Sequence, residues 1–270
     1  MLRCETIQRQ PLLKLQFVLW VVLALLFGMG SSSTLFAEES RGTLRGRFVY
    51  DGEAPERKKV LVTKDKEICG ALGLQTEQLV VSEDGGIADV ILWARTKNLP
   101  EPEGLTKGVT VELDNKGCRF EPHVATMRPG DTLKVKNSDP TAHNTQISFT
   151  ANSPFNEGIA VGGVKELKPR KAERYPVDVS CSIHPWMRSY LLVQDTPYVA
   201  VTDANGNFEI KDLPAGVELE FQVYHPKSKQ IKKVTQDGKA VKWKRGRFKT
   251  KVSEGGSDMG ELRLSPEVFN

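Results

Sequence analysis

Short stretches in which polar and apolar residues alternate dominate the chain, and they predict strands. The first runs from Gly42 to Pro55 and includes an Asp-Gly turn. Two β-rich runs, 78–82 and 87–96, flank the turn Glu83–Gly86, an arrangement typical of a hairpin. Residues 64–72 are compatible with one short helix. The pattern predicts an all-β fold.

A second group of strands follows residues 98–107, a segment rich in Pro, Gly and charge that is a candidate domain boundary. The predicted strands are 109–114, 118–122, 132–137, 177–180 and 190–194. A turn of sequence Arg-Pro-Gly-Asp, 128–131, precedes the third of them. The last two enclose a short loop that carries the most informative residues of the chain.

That loop places three metal-binding side chains at regular spacing: Cys181, His184 and Met187, with two residues between each and the next. Thiolate and thioether ligands select copper or zinc over hard cations, and two imidazoles, one thiolate and a weak axial Met make a blue-copper centre. His143, far upstream, supplies the second imidazole. Zinc is the main competitor, although a thioether is a poor ligand for it. We expect one copper ion bound by these four side chains.

The loop resembles the ligand loop of the amicyanins, within the cupredoxin family, because Pro185 and Trp186 follow its His. The similarity extends upstream to Phe120-Glu-Pro122, the turn at Pro129-Gly-Asp131 and the pair His143-Asn144. It implies a Greek-key β-sandwich over residues 105–195 with a type 1 copper that transfers electrons to and from redox partner proteins.

The same resemblance implies roles for the neighbours of the ligands. The backbone N–H of Asn144 would donate to the copper-bound sulfur, a contact that tunes such metals. The edge of His184 would be exposed within an apolar electron-transfer patch to which Pro185 and Trp186 contribute. With every ligand position taken by protein, no open site would remain for a substrate, which argues against an enzyme.

The flanking segments resemble a carboxypeptidase-regulatory or transthyretin-like β-sandwich. The motif Thr-Asp-x-x-Gly-x-Phe at 202–208, the turn Leu-Pro-Ala-Gly at 213–216 and the opening 42–49 carry this similarity. It implies one small sandwich built from residues 42–98 and 196–264, with the cupredoxin domain inserted in a loop. The alternative is a single enlarged cupredoxin with extra strands.

The N-terminus has the layout of a secretory signal peptide over residues 1–37. Basic residues precede an apolar run from Phe17 to Phe27, and small residues follow up to Ala37. We expect a periplasmic or secreted protein with no membrane span after cleavage; an uncleaved anchor is the alternative. Disulfides persist in such compartments. If Cys181 binds copper, Cys69 and Cys118 are left to pair, with two free thiols or a second metal site as alternatives.

Composition narrows the function further. The 270 residues carry a formal net charge of +4, so nucleic-acid binding is not expected of an exported chain. The basic segment 227–251 is either a docking face for an acidic partner or an edge hairpin whose lysines prevent strand pairing. No nucleophile elbow or phosphate loop is present in the sequence. His123 is either a surface or core-edge residue or a group that binds a ligand together with Cys118.

Two other functions remain open at this point. The first is copper delivery or storage without electron transfer. The second is a structural or adhesion module in which the transthyretin-like sandwich does the binding and copper only stabilises the inserted domain. Some exported bacterial proteins of similar appearance carry a methylamine-utilisation name, and nothing in the sequence points to a methylamine pathway.

Overall fold

The computed structural model of the protein describes residues 40–270, so the predicted signal peptide, 1–37, lies outside the described residues. Within this range the chain forms nineteen strands, three short 3-10 helices and one α-helix of four residues. The predicted all-β fold is confirmed. None of the helices in residues 40–270 is long and apolar enough to cross a membrane.

The elements divide into three consecutive groups along the described chain. The first group is β1 (Arg41–Tyr50), α1 (Lys66–Cys69), a 3-10 helix (Gly70–Leu72) and β2 (Ile91–Ala94). The second is β3 (Thr110–Lys116), β4 (Arg119–Glu121), β5 (Val124–Met127), β6 (Thr132–Asn137), β7 (His143–Ile147), β8 (Phe155–Ile159), β9 (Val164–Leu167), β10 (Val177–Ser180) and β11 (Arg188–Val193). The third is β12 (Val199–Val201), β13 (Asn207–Pro214), β14 (Glu218–His225), β15 (Lys229–Gln230), β16 (Lys233–Gln236), β17 (Lys239–Lys242), β18 (Arg247–Lys251) and β19 (Ser257–Leu264), with 3-10 helices at Lys244–Gly246 and Pro266–Phe269.

The first and third groups form two sheets together. One has the order β13-β1-β19-β16-β17, and the other has the order β12-β2-β14-β15 with β18 also paired to β14. Their inner faces share one apolar core that includes Leu44, Phe48, Leu92, Phe221 and Leu262. Since burial of such side chains is the main driving force for folding, the first and third groups stabilise each other.

The middle group forms a separate sandwich of two sheets, β4-β3-β6-β9 and β5-β11-β10-β7-β8. Alternation explains its inner face: in β6, the apolar Leu133 and Val135 are buried while Lys134 and Lys136 are partly exposed. The enclosed core contains Leu133, Val135 and Ile147, together with Cys181. His143 opens β7 and Cys181 directly follows β10, so the candidate ligands lie at one end of this sandwich.

A third apolar cluster joins the two sandwiches. It contains Trp93 of β2 and Tyr224 of β14 on one side, and Val124 of β5 and Leu192 of β11 on the other. Tyr175 packs edge-on against Trp93, with ring centroids 6.4 Å apart. The junction is therefore a buried aromatic and aliphatic contact.

The basic segment 227–251 contributes two aromatic side chains to the core. Trp243 and Phe248 are buried, and their rings stack with centroids 4.9 Å apart. Lys239 lies exposed on β17, the outermost strand of its sheet. This arrangement agrees with the edge-hairpin interpretation, because exposed lysines on an edge strand discourage pairing with other chains.

Two local expectations differ in detail from the structure. The expected hairpin around Glu83–Gly86 is reduced to one bridge between Val81 and Ile87, and only Ile91–Ala94 continues as a strand. Asp89 has a φ of 64°, which interrupts the extended run that the sequence pattern predicts. The expected helix over 64–72 splits into α1 and a 3-10 turn.

Candidate metal centre

Strand pairing brings the ligand loop to the upstream histidine. β7 and β10 are antiparallel neighbours, with Ser180 opposite Gln146, so Cys181 lies beside the beginning of β7. The loop closes on itself through a hydrogen bond of 2.9 Å from the Met187 N–H to the His184 carbonyl. This tight turn begins at His184, whose ring lies next to both His143 and Cys181.

Three side chains meet in a buried cluster. The Nδ1 atoms of His143 and His184 are 2.9 Å apart, and Cys181 Sγ lies 3.8 Å from His184 Nδ1. One ligand atom from each residue lies within 4.8 Å of the other two. All three residues are at most 3% exposed. A single ion could contact all three donors at once.

The thiol sulfur accepts hydrogen bonds from two backbone N–H groups. Asn144 donates to Cys181 Sγ at 3.3 Å, the contact that the sequence resemblance implies, and His184 donates at 3.4 Å. The Asn144 side chain also accepts from the Ser182 hydroxyl at 2.9 Å, which links β7 to the ligand loop. The sulfur is thus held in place from two sides, and the thiolate is the form of cysteine that binds metals.

Each imidazole has a carboxylate on its other nitrogen. His143 Nε2 lies 2.9 Å from Asp139 Oδ2, and His184 Nε2 lies 2.7 Å from Asp65 Oδ2. Because a carboxylate accepts and does not donate, Nε2 carries the hydrogen in both rings and Nδ1 holds the lone pair. Two Nδ1 lone pairs and one sulfur form a set of three donors that a single cation can bind. The residues therefore fit a bound metal ion.

The protonation of the site agrees with this assignment. Burial lowers the pKa of His143 below its ordinary value despite the opposing hydrogen bond with Asp139, so the ring favours the neutral form that binds metals. The hydrogen bond with His184 lowers the pKa of Asp65, which keeps that carboxyl ionised.

The remaining loop residues surround the cluster. Met187 is 1% exposed and packs in the same core as Cys181. The Trp186 ring lies against His184 with centroids 5.1 Å apart, and its Nε1 donates to the Cys118 carbonyl at 3.2 Å. Pro185 is exposed. Soft sulfur with two imidazoles is a donor set that copper prefers.

The expectation that the His184 edge is exposed is wrong, because this side chain is 0% exposed. The segment between β1 and β2 places Asp65 against its Nε2. A disulfide between Cys69 and Cys118, with Cα atoms 5.6 Å apart, ties that segment to the loop between β3 and β4. The bridge also excludes the alternative that Cys118 binds a ligand together with His123.

His123 lies outside the cluster. Its Nδ1 is 2.7 Å from Asp89 Oδ2, and its ring packs edge-on against Tyr190. Neither Asp65 nor Asp139 was among the candidate residues. Asp139 stands four positions before His143 in a polar turn, a local signal that could have identified it. Asp65 lies 119 positions from His184, and only the predicted Cys69–Cys118 pair could have pointed to its segment.

No protein-family model matches the chain, and no curated protein sequence does. Three of the solved structures that it resembles are copper proteins or cupredoxins by name. A purple cupredoxin from Nitrosopumilus maritimus has a TM-score of 0.27 and 20% identity over 31% of this chain and 99% of that chain. The P52G mutant of amicyanin has a TM-score of 0.29 and 17% identity over 38% of this chain and 98% of that chain. The copper-containing nitrite reductase from Thermus scotoductus SA-01 has a TM-score of 0.31 and 19% identity over 37% of this chain and 28% of that chain. The copper named in these descriptions is a property of those proteins.

Proposed function

We propose that the protein binds one copper ion in a type 1 site and transfers single electrons between partner proteins. The observation that carries this proposal is the pair of Nδ1 atoms, 2.9 Å apart, beside a buried thiol. His143, Cys181 and His184 would hold the ion, and Met187 would be a weaker fourth ligand. Bound copper would supply a one-electron couple at this end of the sandwich.

The surrounding residues suit an electron carrier better than an enzyme. The four side chains are buried, and Asn144, Asp139 and Asp65 hold the three donors of the cluster in place. A rigid, closed environment limits rearrangement between oxidation states and leaves no open position for a substrate. We therefore propose that the partners are redox proteins rather than small-molecule substrates or nucleic acids.

We further propose that the protein works outside the cytoplasm, in the periplasm or secreted, with residues 1–37 as the signal peptide. The Cys69–Cys118 disulfide supports this location, because such bonds persist in oxidising compartments. We also propose that residues 105–195 are a cupredoxin domain inserted into a sandwich made of residues 42–98 and 196–264. The pairing of β1 with β13 and β19, and of β2 with β12 and β14, supports it.

The test is a visible absorption and electron paramagnetic resonance spectrum of the purified protein after Cu(II) addition. We expect an intense thiolate-to-copper charge-transfer band that disappears in Cys181→Ser and in His143→Gln. His123→Gln is the matched control, since this histidine lies outside the cluster and should leave the band unchanged. Met187→Leu should keep the band but change its energy and the copper hyperfine coupling.

A colourless protein that still binds copper or zinc would reject the type 1 proposal in favour of metal delivery or storage. If Cys181→Ser abolished copper binding and left a partner interaction intact, the copper would be structural.

A further inference from the structure

Residues 56–78, between β1 and β2, form a closed loop over the metal centre, which we call the cover segment. Its two arms pair with each other: the Val60 N–H donates to the Leu74 carbonyl at 2.8 Å, and the Thr76 N–H donates to Lys58 at 2.9 Å. Between the arms lie α1 and the 3-10 turn. The cover segment therefore has a defined structure of its own.

Covalent and apolar contacts hold the cover segment on the middle sandwich. The Cys69–Cys118 disulfide is fully buried, and Leu74 packs beside it. Partly buried side chains of Val60, Val62, Ile68 and Trp186 complete this small cluster. Because Trp186 belongs to the ligand loop, the cover segment and the metal centre share one packed contact.

Asp65 is the residue of the cover segment that reaches the metal centre. It has φ 47° and ψ 46°, a left-handed conformation that an L-residue other than glycine seldom adopts. Its carbonyl accepts the N–H groups of Ile68 and Cys69 at 3.0 and 2.8 Å, which anchors it at the start of α1. Such unusual backbone conformations cluster at functional sites.

The carboxylate of Asp65 contacts the His184 side of the centre. Its Oδ2 lies 2.7 Å from His184 Nε2. Asp65 itself is 37% exposed, whereas His184 is 0% exposed. A carboxylate thus stands between the imidazole and solvent.

We propose that Asp65 is a positioning residue that fixes His184 with Nδ1 toward the metal, and that the cover segment closes the edge of this ring to solutes. The part that concerns the metal rests on the proposed function; the orientation and closure of His184 do not. Any electron exchange at this face then passes beside Asp65 rather than through an exposed imidazole.

The negative charge of Asp65 should affect both the affinity for copper and its reduction potential. A carboxylate on the far nitrogen makes the imidazole a stronger donor, and substitution of such partners typically costs about 10–100-fold in metal affinity. The loss should be larger for Cu(II) than for Cu(I), since a stronger donor and a negative charge favour the more positive ion. Each tenfold difference between the two losses corresponds to about 59 mV in the one-electron reduction potential.

The first experiment uses metal-free protein, so it does not depend on copper binding. The imidazole nitrogens of His184 are assigned by nitrogen-15 NMR in wild type, Asp65→Asn, Asp65→Ala and the control Glu67→Gln, an exposed acid two residues away on α1. We expect the hydrogen on Nε2 in wild type and control, and an exchanging mixture of tautomers in Asp65→Ala. Asp65→Asn keeps an acceptor oxygen and should retain the wild-type tautomer.

The closure of the edge is measured in the same proteins by the rate at which diethyl pyrocarbonate modifies each histidine, read by mass spectrometry. His184 should react at least about tenfold faster in Asp65→Ala, whereas His225, buried elsewhere, should not change. An unchanged tautomer and an unchanged modification rate in Asp65→Ala would overturn the proposal. A general loss of protection at His225 would indicate that Asp65→Ala unfolds, and the same two metal-free measurements on Asp65→Ser, which also lacks the carboxylate, then decide.

The second experiment measures Cu(II) and Cu(I) affinity by competition with chelators, and the reduction potential by titration. Asp65→Asn should bind Cu(II) about 10–100-fold more weakly and have a higher potential, while Glu67→Gln should match wild type. Equal potentials for Asp65→Asn and wild type would overturn the charge effect. If wild type binds no copper, the proposed function fails, and the metal-free measurements still decide the role of Asp65.

Discussion

Removal of the Cys69–Cys118 disulfide should destabilise the protein strongly. The bridge closes a loop of 49 residues along the sequence. In the chain-entropy model, a cross-link of this length restricts the unfolded chain by about 4 kcal/mol at 25 °C. The variant to compare is Cys69→Ala with Cys118→Ala, because both sulfurs are fully buried and alanine adds no hydroxyl that would need a partner.

The assay is guanidinium unfolding of the metal-free protein, extrapolated to water. We expect the free energy of unfolding to fall by about 3–4 kcal/mol. The free energy of unfolding should also decrease more steeply with guanidinium concentration, because the unfolded chain without a cross-link exposes more surface. Wild-type protein reduced by a thiol is the control and should unfold like the double variant.

The same double variant tests the cover segment. Without the bridge, only the apolar cluster around Leu74 and the hydrogen bond of Asp65 with His184 are left among the contacts described above, so His184 should react faster with diethyl pyrocarbonate than in wild type. A loss of stability under about 1 kcal/mol with unchanged protection of His184 would refute the view that the disulfide holds the cover segment in place.

Two buried ionisable groups outside the metal centre give further predictions. Burial raises the pKa of Glu173, but hydrogen bonds from Thr150 and Asn152 outweigh it, so the pKa is lowered overall. The stability from this carboxylate is present above its unfolded pKa and lost as pH falls through the folded one; Glu173→Gln should cost about 2–3 kcal/mol at neutral pH. The exposed Glu166→Gln is the control in thermal unfolding, and equal losses would contradict the reasoning. Burial lowers the pKa of His225 from 6.5 to about 4. The unfolded chain therefore binds a proton that the folded chain does not, and the free energy of unfolding should fall by about 3 kcal/mol as the pH is lowered from 6.5 to about 4. His225→Leu should flatten that slope, and an unchanged slope would show that other groups cause it.

The strands and the ligand cluster were accessible to sequence reasoning because their signals are local. Polar and apolar residues alternate over 132–136, and the strand covers 132–137. The Cys181, His184 and Met187 spacing places three soft or borderline metal ligands on one short loop. The donor set therefore followed from residue chemistry, with His143 as the nearest match to a second imidazole.

The environment of the cluster was less accessible, because it depends on contacts between distant segments. Asp65 sits among charged residues in a stretch that resembles an exposed loop, and its approach to His184 arises from tertiary packing. Asp89 similarly adopts a positive φ that no local pattern announces, which shortened the expected hairpin. Short-range periodicity carries little information about either feature.

The order in which the chain can fold follows from the strand pairing. β1 binds β13 and β19, so its partners lie more than 150 residues downstream, whereas every strand from β3 to β11 finds its neighbours within that segment. Pairing between such distant segments is slow, because a long loop must close before contacts compensate for its entropy. We expect the middle sandwich to form first during folding, while the edges of β1 and β2 stay unpaired until residues 199–264 pack against them.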